Sequence, residues 1–501
     1  MKNQQTKYFL SLSQIINILK EENLFINANN ANEDFQISSI SYSSQNINEA
    51  TLFICKGFNF KEEYLKEAIL KGAKCYLAQQ NFLLKENIKI PAIIVNDVRK
   101  AMSIISAKFY NYPSNAFNLT GITGTKGKTT TTFLLKNIFD NYTGKKTGVL
   151  STVEMYTGNN EVEAHLTTPE SLELQQAFEE VKTNDLKFLT MEVSSQGYKL
   201  NRVYGVKFDV GVFMNIDEDH IGPYEHDDFE DYFNCKLQLM KNCKTAIVCR
   251  KTKRFDEVYE TAKSNAQKVI IIGNENDDFY VKDIIKKDCG FNFNVVSNNG
   301  TIENYSISQE GRFNIENALC AIVIAKVYGI EYDIIKKGIE NVNVKGRMNV
   351  FSKNGVKVIV DYAHNNLSFG ELFKSLKIDY PDSKIIVVCG CPGGKAYIRR
   401  RDIGSLCGKY ADKTYLTAED PQFEDVKTIC EEMAKYIKPY NKEYLIVEDR
   451  TIAVERAIKN AEKTDIVIIA GKGEEVYQKV KGKYDYYESD LTIAKRMIDE
   501  K

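Results

Sequence analysis

Residues 121–130 read GITGTKGKTT, and this stretch restricts what the chain can fold into more than any other. The run Phe117-Asn118-Leu119-Thr120 before it has strand character, and Thr130-Thr131-Thr132-Phe133-Leu134-Leu135 after it has helix character. Between them, Gly121, Gly124 and Gly127 let backbone N–H groups turn inward around an anion. Lys128 supplies a point charge for β/γ-phosphates, and Thr129 a hydroxyl for Mg²⁺. The helix that follows aims its positive end at the same anion. A strand, a glycine loop and a helix in this order predict a nucleoside triphosphate site at Gly124, Thr125, Gly127, Lys128, Thr129 and Thr130. Strict Walker spacing would place Gly at 122, where this chain has Ile122, so the loop is the narrower form T-G-T-x-G-K-T.

A chain of 501 residues has room for about three domains. Hydrophobic and charged contents of 43% and 27% fit a globular enzyme, and a net charge of −1 gives no support to a nucleic-acid or membrane-surface partner. No segment reaches the roughly 18 apolar residues of a membrane span, and the N-terminus has no long apolar stretch. A cytoplasmic monomer is expected. The eleven cysteines show no C-x-x-C pair and no Cys/His metal spacing, so they read as free, mostly buried thiols.

Three blocks follow one another. Residues 1–112 form a smaller N-terminal α/β domain, with TLFICKG and AIIVNDV as buried strands and YLKEAILKGA as an amphipathic helix. Residues 113–343 hold the phosphate loop and the apolar runs GVLS, FLTMEVSS, FDVGVFMNI and TAIVC, spaced by helical patterns. That alternation predicts a central doubly wound, mostly parallel sheet. Residues 344–501 repeat the style with VKVIVDYA, KIIVVCG, KTYLTA and DIVIIAG, as in a Rossmann-like domain. The Asn-rich patches NANNANED and VVSNNG read as surface loops.

Ligands of such sheets sit beyond the carboxyl ends of strands. FLTMEVSSQG ends with Glu192, Ser194 and Ser195, and FDVGVFMNI leads into Asp217-Glu218-Asp219-His220. A strand-end Glu and a strand-end His beside a phosphate loop can share a divalent cation with the nucleotide. Of only four histidines, His220 and His364 both follow strand-like runs directly, a placement that favours function.

GITGTKGKTT, HLTTPESLEL, LTMEVSSQG, NIDEDH, GRFNIENALCA, VKGRM, VDYAHN, LTAEDPQFED and IAGKGEEVYQ occur in that order. From about residue 36 to its end the chain resembles the Mur ligase family. Within it, the resemblance is to the ligases that add the third residue of the peptidoglycan stem peptide.

The resemblance implies a set of residues. Ser44, in the stretch Ser43-Ser44-Gln45 where the family reads D-S-R, matches a uridine contact. Thr167, Thr168, Ser194 and Arg202 match positions that hold the UDP-N-acetylmuramoyl dipeptide. Thr129, Glu192 and His220 match Mg²⁺ ligands. Lys236 matches a lysine that is carbamylated to help hold a second Mg²⁺. Asn314, Asn317, Arg347, Asp361, Tyr362 and His364 match adenosine and phosphate contacts. ATP would activate a substrate carboxylate as an acyl phosphate, and an amino group would displace the phosphate. Lys128, Glu192, His220 and Lys236 would be the catalytic set.

The amino acid added stays open at this stage. Ligases of meso-diaminopimelate carry D-N-P-R, and the matching run here is Glu419-Asp420-Pro421-Gln422. An acid in the Asn position and no Arg favour a side-chain ammonium, as in lysine or ornithine. Arg400, Gly471 and Glu475 instead match the diaminopimelate-type site, and Glu474 stands where the family has His. The departures also leave room for a divergent paralogue that joins an amino acid to another carboxylate. A folylpolyglutamate synthase shares the phosphate loop but lacks the long first block. A nucleotide-binding scaffold without catalysis is disfavoured by Lys128, Glu192, His220 and Lys236.

Overall fold

The computed structural model describes residues 8–57, 60–82, 90–164, 166–222, 225–344 and 346–501. Two compact units emerge from it. One comprises Met1–Gly121, Thr147–Asp209 and Asn242–Lys244, and the other Ile122–Lys146, Val210–Lys241 and Thr245–Lys501.

In the first unit a five-stranded sheet runs Phe25–Asn29, Ala92–Val95, Ala73–Ala78, Thr51–Ile54, Ser39–Ser41. All neighbours are parallel except Phe25–Asn29, which lies antiparallel on Ala92–Val95 at the edge. Side chains alternate across the sheet. Leu52, Ile54, Leu77, Ile93 and Val95 pack with Ile15, Leu19, Ala101 and Ile105 on one face. Phe53, Tyr76, Ala92 and Ile94 pack with Leu65 and Ala68 of the helix Glu62–Leu70 on the other. Burial of both faces is why TLFIC and AIIV are unbroken apolar runs. The patch NANNANED differs from the expected loop: its first three residues are strand, and their polar character reflects exposure at a sheet edge. The same unit holds Gly148–Leu150, parallel to Phe188–Glu192 and antiparallel to Glu154–Tyr156.

The strand Cys243–Cys249, which belongs to the second unit from Thr245 onward, and the strands Lys268–Gly273 and Phe279–Lys286 are parallel neighbours. The chain then turns back through Phe291–Ser297 and Ile302–Ile307, both antiparallel. These two antiparallel strands follow the parallel ones of the α/β sheet expected over 113–343. The first of them is two-periodic, with Phe291, Phe293 and Val295 buried and Asn292 and Asn294 facing outward. Within VVSNNG, residues 295–297 are strand and 298–300 turn.

The same unit ends in a six-stranded sheet: Asn349–Lys353, Val356–Asp361, Ile466–Ala470, Ile385–Cys389, Lys413–Leu416, Glu443–Ile446. Only the first pair is antiparallel. Ile359, Val387 and Ile468 face the helices Asn366–Asp379, Ile398–Tyr410 and Val426–Ile437. Val358, Val388 and Ile469 face Arg450–Asn460 and Asp490–Glu500. The last strand in sequence, Ile466–Ala470, sits between the first two parallel ones, so the carboxyl ends of Val356–Asp361, Ile466–Ala470 and Ile385–Cys389 open side by side. Such a switch in strand order is where open α/β sheets bind ligands.

Candidate active site

The strand Asn118–Thr123 feeds the glycine loop, and the helix Lys128–Thr143 begins at Lys128. Gly127 is its N-cap at φ +83°. A Cβ there would lie 2.4 Å from Asn317 Oδ1 and 2.8 Å from Met214 Cε, so only glycine fits. The loop is strapped from beside: Thr125 N donates to Asn215 O (3.0 Å), Lys126 N to Asn215 Oδ1 (3.0 Å) and Asp217 N to Thr125 Oγ1 (3.0 Å). Lys128 Nζ donates to Gly124 O at 2.8 Å, and Lys236 Nζ donates to the same oxygen at 2.9 Å. Lys236 is buried, and two lysine side chains meet at this one carbonyl. Thr129 and Thr130 are buried in the first helical turn. Asn317 Nδ2 donates to Asn314 Oδ1 (2.7 Å), which places both asparagines beside the loop. Lys126 Nζ donates to Leu367 O at 3.3 Å, and burial brings its pKa down to about 8.

His220 lies just after Asp219. Its Nδ1 bonds Glu225 Oε1 at 2.9 Å. Asp219 accepts from Arg399 Nη2 (2.6 Å), Arg399 Nε (3.2 Å) and Asn365 Nδ2 (2.8 Å). Burial works to raise its pKa, but His220 and Arg399 outweigh burial and hold the carboxyl far below the usual range. Asn365 also caps the helix Asn366–Asp379. One carboxylate thus ties the His220 loop to two helices of the six-stranded sheet.

At the carboxyl ends of that sheet, Asp361 accepts from Met348 N and Ala363 N, both at 2.8 Å. Burial raises its pKa, opposed first by Arg347. The Arg347 guanidinium lies 4.3 Å from the Tyr362 ring centroid. Tyr362 Oη donates to Glu475 Oε1 at 2.8 Å. His364 Nδ1 faces the Tyr362 carbonyl at 2.7 Å, so the proton sits on Nδ1. Burial and Arg399 lower its pKa to about 3, which keeps the ring neutral at physiological pH.

A cavity of about 140 Å³ opens among these strand ends. Its lining includes His220, Tyr362, His364, Arg399, Glu419, Asp420, Gly471 and Glu475. Glu419 is pushed up to about 7 by burial, against the pull of Arg399 and Arg450. Gly471, at φ +116°, is where Glu419 approaches: a Cβ would lie 3.0 Å from its Oε2. Lys472 Nζ donates to Asp420 Oδ1 at 2.8 Å and also pairs with Glu475. The cavity therefore differs from the uncompensated acidic pocket expected from the sequence. Two of its carboxylates already share a buried ammonium.

In the first unit, Glu192 is buried and accepts from Thr152 N (2.9 Å) and Thr152 Oγ1 (3.3 Å). Thr152 Oγ1 donates to Thr167 Oγ1 at 3.1 Å. Thr168 Oγ1 bonds the Glu192 carbonyl (3.0 Å) and Ser194 Oγ (3.1 Å). Ser194 caps the short helix Ser195–Lys199. Arg202 Nη1 donates to Thr168 O (3.1 Å) and Nε to Glu170 Oε1 (2.9 Å). Glu170 also receives Lys56 (2.6 Å) and Arg99 (3.3 Å), so three cations surround one carboxylate. Ser44 donates to Glu67 Oε2 at 2.7 Å.

Residues 122–325 match the Mur ligase middle domain, and residues 346–473 the Mur ligase glutamate ligase domain. The UDP-N-acetylmuramyl-tripeptide synthetase of Lactobacillus acidophilus is 38% identical, over 98% of this chain and 98% of its own. The chain belongs to the Mur ligase family. It is therefore an ATP-dependent ligase. The UDP-N-acetylmuramoyl-L-alanyl-D-glutamate–L-lysine ligase of Streptococcus agalactiae is likewise 38% identical, over 98% of this chain and 99% of its own. Among solved structures, a UDP-N-acetylmuramoyl-L-alanyl-D-glutamate–2,6-diaminopimelate ligase superposes with a TM-score of 0.63 at 24% identity, covering 93% of this chain and 95% of that one. A MurF ligase from Thermotoga maritima in complex with ADP gives 0.60 at 17% identity, covering 92% and 97%. These two share the α/β fold.

Within this Mur ligase, two of the residues matched to the amino-acid site, Arg400 and Gln422, stand away from the cavity lining. Arg400 donates to Glu432 (2.7 Å), Glu424 (2.8 Å) and the Pro392 carbonyl (3.3 Å). Gln422, at φ +55°, is held through its backbone by Lys479 O and Lys481 N. The neighbouring Arg399 lines the cavity instead, and Lys395, Lys472 and Glu225 join it. The run Arg399-Arg400-Arg401 does not say which arginine faces inward. Lys472 stands inside the motif GKGEE, so its place in the sequence carries a signal for it. Among the described residues no helix is long and apolar enough to cross a membrane.

Proposed function

We propose that the protein joins an amino acid to the D-glutamyl carboxylate of UDP-N-acetylmuramoyl-L-alanyl-D-glutamate, using ATP. The end-to-end 38% identity with a UDP-N-acetylmuramyl-tripeptide synthetase carries this conclusion. The domains are taken as residues 1–112 for the UDP substrate, 113–343 for ATP and 344–501 for the amino acid.

In the first step a carboxylate oxygen attacks the γ-phosphorus, the bond to the β-bridging oxygen breaks, and ADP leaves an acyl phosphate. In the second an amine attacks the acyl carbon, the bond to phosphate breaks, and the amine loses a proton as the amide forms. Both steps depend on positioning and charge neutralisation. Lys128 would bind the β/γ-phosphates, and the N–H groups of residues 124–130 would cradle them. Asn314, Asn317, Arg347, Asp361, Tyr362 and His364 would contact the nucleotide. Thr167, Thr168, Ser194 and Arg202 would hold the dipeptide, with Lys56 and Arg99 beside Arg202 supporting recognition of an anion. Ser44 would meet the uridine.

Mg²⁺ would be held by Thr129, Glu192, His220 and a carbamylated Lys236. The Glu225 bond to His220 Nδ1 fits this role, because a carboxylate on one ring nitrogen orients the other towards a metal. Bound there, Mg²⁺ supplies charge neutralisation on the transferring phosphoryl group. Lys236, once deprotonated, would add CO₂ and release a proton to become a carbamate. The Lys128 ammonium at the shared Gly124 carbonyl favours that anion over a second cation.

For the amino acid, a diamino monocarboxylic acid such as lysine is favoured by Gln422 in place of an Arg and by the likeness to an L-lysine ligase. Phosphate release measured with ATP, UDP-N-acetylmuramoyl-L-alanyl-D-glutamate and a panel of amino acids tests the whole assignment. Lys128→Ala should abolish release, and near-normal turnover in that variant would refute the ATP site.

A further inference from the structure

Six residues beyond His220, a second imidazole lies fully buried. His226 is fixed by its backbone: its N–H donates to His220 O at 2.9 Å, and its carbonyl accepts from Gly222 N at 3.0 Å. Its ring packs edge-on against Tyr232, with centroids 5.3 Å apart. Asp231 and Cys235 stand four residues apart on the helix Phe229–Lys241, hence on one face of it. His226 Nδ1 is 2.9 Å from Asp231 Oδ2, and Cys235 Sγ is 3.6 Å from Asp231 Oδ1. One ligand atom from each of the three residues lies within 4.8 Å of the other two.

We infer that His226, Asp231 and Cys235 form a binding site for a thiophilic divalent ion of the Zn²⁺ class, separate from the nucleotide site. Bonds of about 2.0–2.3 Å in a tetrahedron space ligand atoms roughly 3.3–3.7 Å apart, so side-chain shifts of about 1 Å complete the geometry. A thiolate, an imidazole and a carboxylate are a Zn²⁺ donor set, and the thiolate and imidazole select against Mg²⁺ and Ca²⁺. Three protein ligands leave a fourth position for water. Binding displaces the Cys235 thiol proton to solvent, so affinity rises with pH. The ion would clamp His226 onto the helix that presents Lys236, the residue directly after Cys235. Cysteine spacing alone does not reveal such a site, because a loop and a helix contribute its ligands.

The test uses the full chain, stripped of metal and kept in excess Mg²⁺. Calorimetric titration should show one Zn²⁺ per chain. Co²⁺ should give a thiolate charge-transfer band that Cys235→Ser abolishes. Cys235→Ser should weaken Zn²⁺ binding at least about 100-fold, more than the loss of an outer partner costs. Cys289→Ser, at an exposed thiol elsewhere, should leave binding unchanged. Because His226 is buried and its variants can unfold, alkylation provides the second measurement: Zn²⁺ should protect Cys235, and not Cys289, from iodoacetamide. Absence of stoichiometric binding in the wild type, binding unaltered by Cys235→Ser, or no protection of Cys235 would each overturn the site and leave the three residues a hydrogen-bonded structural cluster.

Discussion

Replacing Arg399 by methionine should cost the fold about 3–5 kcal/mol, the range for removing one partner of a buried ion pair. The Asp219 side chain is 2% exposed and that of Arg399 9%. Arg399 supplies two of the three bonds that other side chains donate to Asp219, and Asn365 Nδ2 and the His220 backbone N–H would remain. Methionine fills similar volume without charge, so the loss is electrostatic rather than a cavity. The pH dependence gives the sharper check. In the wild type the Asp219 pKa is depressed, so its stabilisation is present above the unfolded value near 3.8 and declines as pH falls below it. In Arg399→Met burial is less opposed and the folded pKa rises back towards 3.8, so less of that stabilisation is present at neutral pH. The gap between the two proteins should be widest near neutral pH and narrow towards pH 3. Urea unfolding at a series of pH values measures it. A gap below about 1 kcal/mol at pH 7, or one independent of pH, would refute the claim that this pair is buried and decisive. Asp219→Asn in the Arg399→Met background should recover part of the loss, since it removes the stranded charge.

Gly127→Ala should raise the KM for ATP at least tenfold and cost about 1–2 kcal/mol from left-handed backbone strain, because its Cβ would overlap Asn317 and Met214; unchanged ATP kinetics would contradict the loop geometry. Lys236 should carry one added CO₂ in the active enzyme by intact-mass measurement under bicarbonate. Lys236→Ala should lose most activity, with partial rescue by a short carboxylate, and a plain lysine in fully active enzyme would remove the carbamate. L-lysine or L-ornithine should exceed meso-diaminopimelate in kcat/KM by about tenfold or more, and a clear win for meso-diaminopimelate would show the missing Arg replaced from elsewhere.

The features legible in the sequence are those set by neighbours in the chain. Strands covered on both faces appear as apolar runs, and the glycine loop needs its residues within one turn. What escaped depends on partners far apart. The edge strand Phe25–Asn29 carries asparagines because one side meets solvent, and no local pattern separates that from a loop. The antiparallel strands Phe291–Ser297 and Ile302–Ile307 alternate in a way that helical spacing between parallel strands had obscured. Glu170 gathers Lys56, Arg99 and Arg202 from three distant segments. Arg399 is set apart from Arg400 only by which side of the helix Ile398–Tyr410 meets Asp219 and which meets Glu424 and Glu432.

That distinction changes how amino-acid choice is explained. Counting acids along Glu419-Asp420-Pro421-Gln422 suggests a pocket that attracts an ammonium and repels a second carboxylate by charge alone. In the folded chain Lys472 is shared by Asp420 and Glu475 and offsets one of their two charges, and burial pushes Glu419 up to about 7, so it is only partly ionised at neutral pH. Lys395, Arg399, Lys472 and Lys479 line the cavity together with Glu225, Glu419, Asp420 and Glu475, so its acids are matched in number by cations. A long-range field therefore discriminates weakly. Selection must come from which buried bond an incoming side chain can replace. An ammonium can take the place of Lys472 on one of its two carboxylates at little cost. A carboxylate that took Lys472 would strand an acid that now shares it. Lys472→Met should therefore narrow the preference between lysine and meso-diaminopimelate if Lys472 sets it, whereas a field-based preference for the ammonium would sharpen once that cation is gone.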